Sequence, residues 1–227
     1  MINKYEARLG TERMLPLVFK MALPAVIAQF VNLLYSMVDR IYIGHIPGIG
    51  AAALTGVGLF APILMLINAF AMLSGSGGAP RAAIFMGKKD NETAEKIMAN
   101  CFSLILIFAI GLTILFSIFA PKLLILFGAS DATLPYAVEY ARIYIFGSIF
   151  VLIVLGMNLF ITTQGFSKIS MMTTLIGAVI NVILDPIFIF VFDMGVRGAA
   201  IATVLSQAVG ALSLIHISEP TRPLYIS

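Results

Sequence analysis

The chain has 227 residues, of which 60% are hydrophobic and 11% charged, with a formal net charge of +3. Soluble domains run at about 45–50% apolar and about 25% charged, so a soluble globular enzyme is excluded and lipid is the solvent that fits this composition. A sequence pI of about 9.1, without a Lys/Arg cluster interleaved with aromatics, reads as membrane topology and gives no nucleic-acid surface.

The opening MINKYEARLGTER is polar and charged. It lacks the short apolar core and small-residue cleavage site of a signal peptide, so the first span is expected to stay in the membrane. A span takes about 20 predominantly apolar residues. Uncharged stretches between charged loops predict helices over 15–44, 51–79, 95–119, 133–164, 168–192 and 195–211. None of them alternates with the period of a barrel strand. The predicted fold is therefore an all-α membrane protein, a bundle of six transmembrane helices.

Taken in order, the first helix carries Asn32, Ser36 and Asp39 as a polar stripe at helical spacing. The HIPGIG turn at His45–Gly50 leads into the second, which contains SGSGGAP at Ser74–Pro80. No GK[ST] follows to cradle a phosphate. The small residues there read as a close approach of two helices. The third helix holds Cys101, a small hydrophobe with no cysteine partner in the chain. In the fourth, Glu139 and Arg142 are spaced as a structural surface pair, and Tyr140 precedes a long apolar run. The fifth contains NVILDP, with Asn181 and Asp185 one turn apart. Pro186 cannot donate a backbone hydrogen bond and frees the Val182 carbonyl. Thr203 lies in the sixth.

Basic residues set the orientation. Lys4, Arg8, Arg13 and Lys20 flank the first helix, Arg81, Lys88, Lys89 and Lys96 fill the second-to-third connection, and Lys168 lies in the fourth-to-fifth. Lys122 and Arg197 lie in the opposite loops, with Arg40 and Arg142 near helix ends. The positive-inside rule then predicts a cytoplasmic N-terminus in a multi-pass inner (plasma) membrane protein. The Asn91-Glu92-Thr93 sequon falls inside the cell and is a chance match.

Ionisable groups at membrane depth are costly and usually face a polar interior. At 1.5 Å per residue, Asp39 lies about 8 Å and Asp185 about 10 Å before the outer ends of their helices. Tyr140 and Thr203, entering from that side, reach roughly 10 and 12 Å. Four helices therefore offer polar groups at one level. Hard cations take oxygen ligands of this kind, so Asp39, Asn181, Asp185 and Thr203 are candidate Na⁺ ligands, or the carboxylates carry a proton. His45 and His216 are the only histidines, and no HExxH pair or nucleophile set is present. Neither an enzyme nor a bound cofactor is expected.

ALPAVIAQFVNLLYSMVDRIYIGHI, GAAALTGVGLFAPI and NVILDPIFIFVFDMGVRGAAIATVLSQ, in this order, resemble the N-terminal lobe of a MATE (multidrug and toxic compound extrusion) transporter. The likeness is to the MepA/DinF-like bacterial branch, over about residues 10–211. The resemblance implies one lobe of a twelve-helix transporter that exchanges H⁺ or Na⁺ inward for organic, often cationic, drugs outward. It implies a cation-coupling site at Asp39, Asp185, Asn181, Tyr140 and Thr203. Asn32, Ser36 and Asn158 would face substrate or lumen. The implied partners are small organic substrates, the lipid bilayer and a missing C-terminal lobe.

The apolar pattern stops at Ala211. Leu212–Arg222, LSLIHISEPTR, resembles one reading frame of a sequencing-library transposase adapter. Residues 1–211 are therefore expected to form the lobe and 212–227 a foreign tail. The competing function is a lipid-linked oligosaccharide flippase of the same wider superfamily. That function calls for a lumen rich in Arg and Lys to hold pyrophosphate, which these spans lack.

Overall fold

The computed structural model describes residues 13–218. Lys4 and Arg8 of the expected basic flank lie outside the described residues, as does the tail from Glu219 onward. The first helix, α1, runs Met14–Gly44. The second span is two helices, α2 (Gly50–Leu59) and α3 (Ala61–Gly87). They are followed by α4 (Asn91–Leu126), α5 (Leu134–Thr163) and α6 (Ser167–Pro186). A π-helical turn, Ile187–Val191, prolongs α6 before α7 (Gly195–Ser218). Six of these segments are long and apolar enough to cross a membrane, and the protein is a multi-pass membrane bundle.

Several boundaries differ from the hydropathy pattern, each for a local reason. The span expected over 51–79 is interrupted at Phe60, because Pro62 sits in the first turn of α3 and cannot donate to the turn before it. It then runs through Pro80 to Gly87. A proline inside a span is tolerated where neighbouring groups satisfy the freed carbonyl. The third helix starts at Asn91 and not at 95, since Asp90 caps it by accepting from the Thr93 N–H at 3.1 Å. Hydrogen bonds from Thr93 hold the Asp90 carboxyl below its ordinary range. The ionised cap is thus lost only as pH falls through that lowered value. That helix also continues past 119, through Pro121, to Leu126. The last helix continues beyond 211 as far as Ser218, with Leu214 buried.

The bundle is organised around α5, which packs against α2, α3, α4 and α7. Half of the apolar window of α5 is buried within the protein, against 6% for α1. Helix α1 lies along α6, and α6 in turn packs on α7. Small residues set the spacing. A Cβ on Gly75 of α3 would come within 2.7 Å of the Gly156 carbonyl oxygen of α5, so the two backbones meet without side chains between them. A Cβ on Gly198 would lie 2.7 Å from the Phe188 carbonyl, which brings the start of α7 onto the π-helical turn.

Gly75→Val is expected to cost about 1–3 kcal/mol by overpacking. Gly77→Ala, two residues along and with nothing within 4 Å of its would-be Cβ, should leave stability nearly unchanged. Thermal unfolding of the two variants in detergent measures the contrast.

Candidate functional site

The polar groups of α6 and α7 meet below the π-helical turn. Asn181 and Asp185 are one turn apart on the buried side of α6, 1% and 0% exposed. The Asn181 Nδ2 donates to Asp185 Oδ1 at 3.2 Å and to Thr203 Oγ1 on α7 at 3.4 Å. The Thr203 hydroxyl donates in turn to the Ala199 carbonyl at 3.0 Å. One amide thereby spans two helices. Ser206 adds a hydrogen bond to the Thr203 carbonyl at 2.8 Å.

Asp39 enters this group from α1. It lies within electrostatic range of Asp185, and both lie within range of Tyr35. Asp39 forms no ion pair with the adjoining Arg40, which is exposed. Buried Asp39 Oδ1, Asn181 Oδ1 and Asp185 Oδ2 have no hydrogen-bond partner. Oxygen acceptors therefore outnumber donors in this group, in a position where an unpaired acceptor is costly.

Tyr140 supplies the α5 wall. Its hydroxyl is within hydrogen-bonding reach of Thr203, and its ring stacks on Tyr144 at 5.8 Å between centroids. Phe60, from the break between α2 and α3, packs edge-on against both rings, at 5.6 and 5.2 Å. The break in the second span thus delivers a fully buried aromatic to the site.

The structure brings together Asp39, Asn181, Asp185, Tyr140 and Thr203. Asn32 and Ser36 are half-buried on α1, and no hydrogen bond joins either to the Asp185 group. Asn158 lies elsewhere, about 27 Å further along α5 than Tyr140. There its Oδ1 accepts from Thr173 Oγ1 of α6 at 3.4 Å. The expected Glu139–Arg142 pair is replaced by Arg197 Nη2 to Glu139 Oε1 at 2.8 Å, because α7 begins alongside α5 and offers a cross-helix partner.

Three participants escaped the sequence reading: Tyr35, Tyr144 and Gln207, which lies within hydrogen-bonding reach of Tyr35. Each is one turn from a predicted residue (Asp39, Tyr140 and Thr203). The i,i+4 rule applied to every candidate, and not only to Asp185, finds all three.

A multi-pass helical bundle that holds a buried carboxylate, Asp185, with a half-buried one, Asp39, in range on another helix fits a membrane transporter. Residues 24–187 match the family model described as MatE. The chain belongs to the MATE family of membrane transporters. It is 27% identical over 204 residues to the multidrug export protein MepA of Staphylococcus haemolyticus (strain JCSC1435), a match that covers 89% of this chain and 45% of that protein. Crystal structures of a MATE protein in bent and straight conformations superpose with TM-scores of 0.85 and 0.84 at 30% identity. Each covers 93% of this chain and 46% of the other. The chain spans about half the length of the curated relatives it matches.

The Asn181 amide predicts a stability effect that separates it from its neighbours. Asn181→Leu leaves Asp185 Oδ1 without its donor and removes the side-chain link from α6 to Thr203 on α7, and should cost about 1–3 kcal/mol. Thr203→Val should cost less, since the Thr203 hydroxyl is shared with its own helix at Ala199. Unfolding of each variant in detergent, followed by helical circular dichroism, ranks them.

Proposed function

We propose that this chain is the N-terminal lobe of a cation-coupled antiporter that exports organic, often cationic, compounds across the plasma membrane. A second lobe would complete the substrate cavity. The observation that carries the proposal is Asp185, fully buried, with Oδ2 unpaired and the Asp39 carboxylate within range. Two neighbouring carboxylates, with the exposed Arg40 beside Asp39 as the base acting on it but not ion-paired to it, repel each other when both are empty, and a proton or Na⁺ relieves that repulsion. Binding of the cation is therefore linked to the distance between α1 and α6.

Helix α1 is the element free to respond, because only Pro24 and Ile43 are buried along it. Loading draws Asp39 toward Asp185, and emptying releases it, which changes access to the lobe from the side of α1. The solved bent and straight forms of a related MATE protein support a bundle of this kind having two shapes. Asn181 and Thr203 orient the Asp185 carboxyl, and Tyr140 closes the site from α5. The basic end, with Arg81, Lys88, Lys89 and Lys168, favours a cytoplasmic N-terminus. No bound cofactor and no catalytic step enters this cycle.

The test uses the complete transporter gene product in membrane vesicles loaded with ethidium. Asp185→Asn is expected to abolish gradient-driven efflux while leaving the amount of protein in the membrane unchanged. Efflux at the wild-type rate would overturn the mechanism. Substitution of Na⁺ by choline at fixed pH identifies the ion. Efflux that survives choline and collapses with a protonophore assigns H⁺, and the reverse pattern assigns Na⁺.

A further inference from the structure

The end of the bundle where α3 stops and α4 begins carries a second arrangement, separate from the acid pair. Arg81, Phe85 and Lys88 follow at i, i+4 and i+7 and share one face of α3. Arg81 and Lys88 are exposed, and Lys88 Nζ lies 5.6 Å from the Phe85 ring centroid. Ile84 and Leu73, 58% and 60% exposed, continue α3 as apolar surface. Lys89 follows with φ +62, in the left-handed region where glycine is the usual helix-ending residue. Its N–H donates to the Met86 carbonyl at 2.9 Å, and the Asp90 N–H to that of Phe85 at 3.0 Å.

The carbonyl end of a helix favours cations in its last turn, which accounts for Lys88 and Lys89. It does not account for Arg81, which lies about 9 Å inside the Gly87 end. Of the nearby carboxylates, Glu92 holds Lys96 at 2.6 Å, Asp90 caps α4 while lying within electrostatic range of Lys88, and Glu95 is exposed on α4. Among the described residues Arg81, Lys88 and Lys89 form no ion pair. An exposed arginine near the end of a span lays its stem along the apolar flank and carries its guanidinium to the interface, where lipid phosphate is the anion within reach.

We propose that Arg81, Lys88 and Lys89 bind the phosphate of an anionic phospholipid, with the exposed Ile84 against the start of its acyl chains. The guanidinium supplies a planar fork that matches two phosphate oxygens. The lysines add point charges at the surface, where anionic leaflets attract them. The site depends on neither the coupling ion nor the exported compound.

The chain purified in a neutral detergent is exposed to equimolar phosphatidylglycerol and phosphatidylcholine, and retained lipid is read by native mass spectrometry. The wild type should retain phosphatidylglycerol preferentially. The triple variant Arg81→Gln/Lys88→Gln/Lys89→Gln should lose that preference by about ten-fold or more, while Lys122→Gln on α4 leaves it intact. Arg81→Lys, which keeps the charge and loses the fork, should fall between them. Circular dichroism checks that each variant keeps its helices, and Arg81→Gln alone provides the readout if the triple variant does not fold. Equal retention of the two lipids by the wild type would overturn the proposal. So would undiminished preference in the folded variants, or displacement of the lipid by millimolar inorganic phosphate.

Discussion

Asn181 has one amide nitrogen and shares it between an oxygen of Asp185 on its own helix and the hydroxyl of Thr203 on the next. Both bonds lie inside the bundle, so this one amide ties α6 to α7 at the level of the carboxylate, in addition to the packing of the two helices. The Asp185 carboxylate is thereby aimed without being neutralised. A lysine or arginine in the same place would hold the helices equally well and would cancel the charge that the proposed coupling uses. The amide is a side chain that orients a carboxylate without cancelling its charge, as the proposed coupling requires.

The rest of the architecture serves to bring other helices to that point. Close backbone contact at Gly75 and Gly156 keeps α3 against α5. The interruption before Pro62 then lets Phe60 turn inward onto Tyr140 and Tyr144. On the other side, Pro186 and the π-helical turn lift the chain off the regular helical path. Gly198 allows α7 to cross directly on that turn, which sets the height of Thr203 opposite Asn181. The site is thus made of regular helices whose positions are fixed by two irregular segments.

Much of this was legible in the sequence, for identifiable reasons. Span existence follows from apolar length, because the bilayer demands it. The meeting of Asp39, Asp185, Asn181, Tyr140 and Thr203 follows from depth along helices that must all cross the same slab. Depth has no angular information, however, and this is where the reading stops. It placed Glu139 beside Arg142 on one helix, whereas the rotation of α7 presents Arg197 instead. It missed Tyr35 and Gln207, which stand one turn below the groups that were recognised. Hydropathy ends the second and third spans at 79 and 119, yet both helices run on through Pro80 and Pro121; whether a proline ends a helix depends on tertiary neighbours that a sequence does not show.

Helix α1 has a consequence for assembly. With Pro24 and Ile43 its only buried residues, and with Leu23, Val26, Phe30, Leu33 and Met37 all more than half exposed, it gains little by docking compared with standing alone in lipid. Its free energy is dominated by transfer into the bilayer, which is complete before any helix meets another. During biogenesis α1 is therefore inserted before the spans that follow it here, and little buried surface commits it to the bundle. Until α5, α6 and α7 have assembled, the polar neighbours of Asp39 are those of its own helix, Ser36, Tyr35 and Arg40. The carboxylate at the centre of the site is carried into the membrane on the helix least bound to the finished fold, and its hydration during that interval is an obstacle that synthesis of the later spans must remove.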